Sequence, residues 1–184
     1  MMGPYQLWLE RMFRQAPAVR MFMETLWGWP AVESVHFIGL TLLFGCIVVW
    51  DLRLLGLART VPIAAFHRLV PFAVLGFAIN MASGSMFLLA QPDQYIYNPA
   101  FHFKLLFIAL AGVNVLVFYL TMFRHVDRPA AGAAPGAVKI SGALSLIFWT
   151  AVIICGRLLT FYRPPLCRPG EALGFLAECI VRIK

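Results

Sequence analysis

The chain has 184 residues, 61% of them hydrophobic and 12% charged, and its mean hydropathy is +0.82. Such a composition excludes an ordinary soluble domain and belongs in a membrane. The net charge of +7 comes from basic residues scattered over ends and loops, with no concentrated stripe, so no nucleic-acid partner is expected; anionic lipid is the simpler partner.

Residues 1–29 contain "LWLERMFRQAPAVRMFMETLWGW". Glu10, Arg11, Arg14, Arg20 and Glu24 interrupt any apolar run, so no cleavable signal peptide is expected here. The segment reads as amphipathic and interfacial, with Trp27 and Trp29 at headgroup level. Four predominantly apolar windows follow at about 31–50, 65–90, 101–123 and 138–161, each long enough to cross a hydrocarbon core of about 30 Å. The short alternating pattern of a membrane barrel is missing, so helices are expected. The predicted fold is an all-α integral-membrane four-helix bundle over residues 30–162, with the interfacial segment before it and a tail, 163–184, containing a short helix. Pro71 falls inside the second window and predicts either a kink or a later helix start. Thr60 with Pro62 is a plausible start signal.

Lys and Arg near the helix ends favour the first and third connections over the second: Arg53, Arg59, Arg68, Arg124, Arg128 and Lys139 against Lys104. That distribution predicts cytoplasmic first and third connections, with both termini on the far side, although Arg11, Arg14, Arg20, Arg163 and Arg168 run against it. Cys46 and Cys155 fall inside the apolar windows. Cys167 and Cys179 sit in the tail and could bond to each other in an oxidising compartment.

An ionisable residue inside a span is costly unless it faces a partner, so each is a functional candidate. At 1.5 Å rise per residue, with centres near residues 41, 78, 112 and 149, His36 lies about 7 Å from the midplane toward the second connection. His102 lies about 15 Å out on that side, and Lys104 and Arg157 about 12 Å. Glu33 sits one turn before His36, so one end of the bundle collects two histidines, two cations and a carboxylate. That set suits a b-type haem: an imidazole ligand, small residues for the macrocycle, and cations for its propionates. Gly76, Asn80, Ser83 and Gly84 form a stripe on the second helix that admits either close helix packing or a flat ligand.

His102 and Lys104 are two residues apart and cannot both face one pocket. Either His102 is the second ligand and Lys104 snorkels, or Lys104 faces in and Met81 or Met86 supplies the ligand. Glu33 would orient the His36 imidazole. The bland alternative is a structural His36 bonded to Glu33 or to a hydroxyl on a neighbouring helix. A copper site from His36, Met81 and Met86 ranks below haem. His67 and His125 lie at the opposite edge, where a second metal site is less expected. Asp51 and Arg53 read as a membrane-edge ion pair.

"ESVHFIGLTLLFGCIVVWDLRLLGL" together with "NPAFHFKLL" resembles a family of bacterial inner-membrane proteins of unknown function. More distantly, it is similar to the HemJ-type protoporphyrinogen oxidases and to CopD-like copper proteins. The likeness spans about residues 30–125. It implies a multi-pass inner-membrane protein in which His36 matches a haem-associated histidine and Arg53 and Lys104 match functional cations. The basic, histidine-containing stretch that follows the arginine in HemJ-type proteins is replaced here by "LLGLARTV", and His102 has no dependable counterpart. The expected function is therefore a membrane haem b protein in electron transfer or oxidoreduction, with a quinol, a porphyrinogen or a protein as electron donor. A cofactor-free accessory subunit of a larger membrane complex is the alternative, and CopD-like metal handling is third.

Overall fold

A computed structural model describes residues 4–58, 60–123, 136–166 and 179. Two short helices, α1 (Pro4–Phe13) and α2 (Pro17–Met23), precede the long α3 (Gly28–Leu55). After α4 (Ile63–His67) come α5 (Val70–Ala90), the short α6 (Pro92–Ile96), α7 (Pro99–Val117) and α8 (Gly136–Phe161). α7 continues into a π-helical turn at Phe118–Met122. Four helical stretches, Gly28–Leu55, Ala65–Ala90, Pro99–Met122 and Gly136–Phe161, are long and apolar enough to cross a membrane. The chain is thus an all-α, four-helix, multi-pass membrane protein.

Local sequence explains most boundaries. α3 runs past both ends of its expected window and stops at Gly56, which adopts the left-handed conformation (φ 108°) that lets its N–H return to the Arg53 carbonyl and the Leu57 N–H to that of Leu52. Pro71 marks a true start, not a kink: the chain turns at Arg68–Leu69 and Pro71 occupies the first turn of α5, where its missing N–H costs nothing. Thr60 does not cap α4; Pro62 is its N-cap, without a side-chain bond. α7 begins at Asn98, whose side chain accepts from the Ala100 N–H at 3.0 Å.

α3 is the central element. It packs on α5 and on α8, and α8 packs on α7, while α5 and α7 make no substantial contact. Close approach of α3 and α5 depends on two glycines. A Cβ at Gly76 would lie 2.6 Å from the Leu43 backbone nitrogen, and one at Gly39 would lie 2.6 Å from Ile79 Cγ2. The stripe on α5 therefore serves helix packing at this level, as small residues do where lipid supplies no hydrophobic drive for association. A thin core of Leu43, Ala111, Trp149 and Val152 fills the middle, while Ile38, Leu116, Leu120 and Ile147 face outward.

The N-terminal segment has two different faces. Trp8, Met21, Leu26 and Trp27 are exposed, as an interfacial segment requires. Glu10 is fully buried; its carboxylate takes Arg14 and also the Tyr97 hydroxyl at 3.0 Å. Trp29 turns inward onto Phe87, at 5.0 Å between ring centroids. The expected tail helix falls largely on residues outside those described.

Candidate functional site

His36 projects from α3 toward α5, and its Nδ1 lies 2.8 Å from Ser83 Oγ. Ser83 has one hydroxyl proton, and that oxygen sits 2.6 Å from the Ile79 carbonyl one turn back. The carbonyl can only accept, so it takes the Ser83 proton, and Ser83 Oγ accepts from His36 Nδ1–H. This fixes the imidazole as the Nδ1–H tautomer and leaves the Nε2 lone pair uncommitted to that bond. Phe87 closes edge-on against the ring, at 5.6 Å. The ring also lies beside Gly84, where a Cβ would meet His36 Cε1 at 3.7 Å, an ordinary contact.

Lys104 of α7 turns into the bundle. Its Nζ would lie 3.6 Å from a Cβ at Gly156 of α8, and it stands within electrostatic range of both His36 and Cys155. Of the two arrangements open to α7, the structure adopts the one with Lys104 inward. His102, about 200° around the helix from Lys104, has its Nδ1 3.1 Å from the Asn98 carbonyl, to which it donates, with Phe101 edge-on at 6.2 Å.

Other members of the expected layer part company. Glu33 does not orient the His36 imidazole; Ser83 holds that position, and the Glu33 charge instead faces Tyr95 of α6. Burial, with the Glu33 charge added, pushes the Tyr95 phenol up to about 12. Arg157 is exposed, with its guanidinium 4.5 Å over the Phe161 ring, the posture of a membrane-edge anchor. Met81 is 48% exposed on the outer side of α5, which removes it from the His36 face. Met86, three residues beyond Ser83, stays half-buried on that face.

Arg53 is seventeen residues from His36 on one helix, about 25 Å away, and its Nε donates to the Val61 carbonyl at 2.9 Å. It cannot share a site with His36. Nor do Asp51 and Arg53 form the expected ion pair. Asp51 is buried, 3% exposed, with Ser145 of α8 against its carboxyl group. His67 sits among the rings of Trp50, Tyr119 and Phe123; His125 lies outside the described residues. Cys46 and Cys155 are free thiols, and Cys179 is disulfide-bonded; Cys167 lies outside the described residues.

Among the described residues no three His, Cys, Asp or Glu side chains converge to hold a metal ion. A copper site would therefore rest on His36 and Met86, without Met81. For a haem the fit is partial: His36 and Lys104 suit it, Met86 is a possible second ligand, and the α3–α5 contact at Gly39 and Gly76 closes one side of the imidazole's helix. Sequence reasoning had placed Ser83 only in a small-residue stripe and had assigned no part to Tyr95 or Cys155. Comparison with protein-family models, with characterised proteins and with solved structures gives no significant match.

Proposed function

We propose that the protein is an integral-membrane b-type haem protein that takes part in electron transfer or oxidoreduction, in which His36 would hold the iron. One observation carries this reading: a histidine within a span has its Nδ1–H held by a hydroxyl, which presents the Nε2 lone pair in the form an iron ligand requires. Lys104 would pair with a haem propionate, and Met86, half-buried on α5, would supply the second ligand. The haem, when bound, supplies one-electron redox chemistry. This chain's residues hold the imidazole orientation and provide a cation in a water-poor layer. The electron donor belongs to one of three classes: a quinol, a porphyrinogen or a protein partner.

We place the protein in a bacterial inner membrane, with the first and third connections cytoplasmic and the termini periplasmic. The charge distribution supports that orientation, and so does a disulfide at Cys179, a bond that persists in an oxidising compartment.

A second reading has its own support. The His36–Ser83 bond and the Gly39–Gly76 contact both fasten α3 to α5, which is what a structural histidine in a cofactor-free accessory subunit would do. Absorption spectra of the detergent-purified protein, made with ample haem and recorded oxidised and dithionite-reduced, separate the two. The haem reading expects a Soret band that His36→Ala removes. A wild-type protein without that band leaves the accessory-subunit reading in possession.

A further inference from the structure

Covalent geometry puts α1 and α2 at the depth where bilayer meets water. Leu26 and Trp27, 82% and 76% exposed, immediately precede α3, so the N-terminal segment ends where a span begins. α2 packs on α5, and α1 packs on α6, the five-residue helix between two spans. The inner side of α1 is fixed to the bundle: Leu9 and Phe13 pack on Ile96 and Tyr97, and Glu10 takes the Tyr97 hydroxyl. Its outer side carries Trp8 and Met12, one turn apart and exposed, with Arg11 exposed between them. The inner row already docks the helix, so the outer apolar row is left for something outside the chain.

The charges at this depth are unequally used. Arg14 is taken by Glu10, the one ion pair among the described residues. Arg11 and Arg20 therefore have no carboxylate, and Glu24, exposed one turn after Arg20, does not pair with it. Arg20 is half-buried on the last turn of α2. Its Nε is enclosed, which holds the guanidinium in place, while its terminal amino groups are neither enclosed nor bonded to protein. Those amino groups reach the surface beside Met21 and Phe22, both exposed. Bare guanidinium groups and exposed apolar side chains thus share one level at the membrane edge.

We propose that the outer face of α1 and α2 binds an anionic phospholipid from the leaflet on the second-connection side. The headgroup phosphate accepts from the Arg20 terminal amino groups, Arg11 adds positive charge at the same level, and the acyl chains lie against the exposed apolar row. A zwitterionic lipid brings the same phosphate together with a cation that the arginines repel. A peripheral protein would have to displace the acyl chains that the depth of the segment already supplies. The site does not involve His36, and it is tested without haem.

The test is a titration of the full chain in dodecyl maltoside with dioctanoyl phosphatidylglycerol, read by native mass spectrometry, beside dioctanoyl phosphatidylcholine and inorganic phosphate. Saturable binding of phosphatidylglycerol is expected, roughly tenfold or more tighter than phosphatidylcholine, since each surface arginine is worth about fivefold. Arg11→Gln and Arg20→Gln should each lose about fivefold, and the double variant should bind the two lipids alike. Arg68→Gln, exposed at the opposite membrane edge, should change nothing. An unchanged circular-dichroism melt verifies each fold, and should Arg20→Gln not fold, Arg11→Gln and the comparison of the two lipids decide the matter. Equal affinity of the wild type for both lipids overturns the proposal and leaves the surface to a protein partner. Displacement of phosphatidylglycerol by inorganic phosphate means a free-anion site and overturns it too, as does a lipid preference that survives in the double variant.

Discussion

A buried imidazole is defined by what each of its nitrogens meets. At His36, Ser83 settles one nitrogen by donating its hydroxyl hydrogen bond to the Ile79 carbonyl, which leaves its oxygen to accept from Nδ1–H, so a single hydroxyl selects the tautomer. Ser83→Ala removes that selection and leaves the imidazole in place. If His36 is a haem ligand, Ser83→Ala should lower haem retention by roughly 10- to 100-fold, the usual effect of losing an outer hydrogen bond to a ligand, as measured by haem-transfer titration. A spectrum and affinity identical to the wild type would count against the Nε2-ligand assignment. Asn98 is the corresponding structural residue. Fully buried, it caps α7 with its carbonyl oxygen and donates its amide to the Tyr162 carbonyl at 3.0 Å. Asn98→Ala should cost about 1–2 kcal/mol in a detergent-unfolding titration, since it loses a helix cap together with the bond to the Tyr162 carbonyl.

Between elements, the α3–α5 crossing is held by shape. Leu43 backbone nitrogen and Gly39 carbonyl oxygen would lie 2.6 and 2.8 Å from a Cβ at Gly76, and backbone cannot rotate away as a side chain can. Gly76→Ala should therefore force the helices apart and cost several kcal/mol, by analogy with overpacked cores, visible as lower accumulation and an earlier thermal transition. Gly45→Ala is the internal control on the same helix as Gly39. Nothing lies within 4 Å of its Cβ, and a helical Gly→Ala exchange should be neutral or stabilising by up to about 1 kcal/mol. Two similar losses would mean that close approach at Gly76 is not what holds the pair.

Across the whole molecule, the second connection is a fastening point. Glu10 reaches Tyr97, Gln94 donates to the Leu159 carbonyl at 3.3 Å, and Asn98 reaches Tyr162, so α1, α6 and the end of α8 are joined at one membrane face. Burial holds the Tyr97 phenol above its usual range, reinforced by the Glu10 charge, and Tyr95 is raised to about 12 by burial and Glu33. Both folded-state values lie above the ordinary 10.0. Folding therefore favours the neutral phenols: their stabilisation is complete below about pH 10 and is lost as pH rises from there toward 12. An alkaline titration that follows phenolate absorbance together with protease access to the N-terminal segment should show the two rising together. Tyr97→Phe should expose the segment to protease already at neutral pH.

Much of this architecture was legible in the residues alone. Span number and approximate position follow from apolar length, because the bilayer sets one thickness for every helix, whereas the ends do not: α3 overruns its window on both sides. The depth of each polar residue follows from a fixed rise: His36 and Ser83 both count to about 7 Å from the midplane on the same side, a match that depth alone could have turned into a pair. What the sequence leaves open is rotation and stagger. Apolar residues surround these helices, since lipid and neighbour are both apolar, and periodicity then gives little sign of which face turns inward. Only packing could choose Lys104 over His102, turn Glu33 to Tyr95 instead of His36, and leave Arg157 and Met81 on the outside. A fixed rise puts Asp51 about 15 Å and Ser145 about 6 Å from the midplane, a pairing the sequence does not suggest; the stagger of α3 against α8 brings them together. The gap between α5 and α7 is likewise a product of tertiary structure, because no property of either helix alone determines that the two fail to meet.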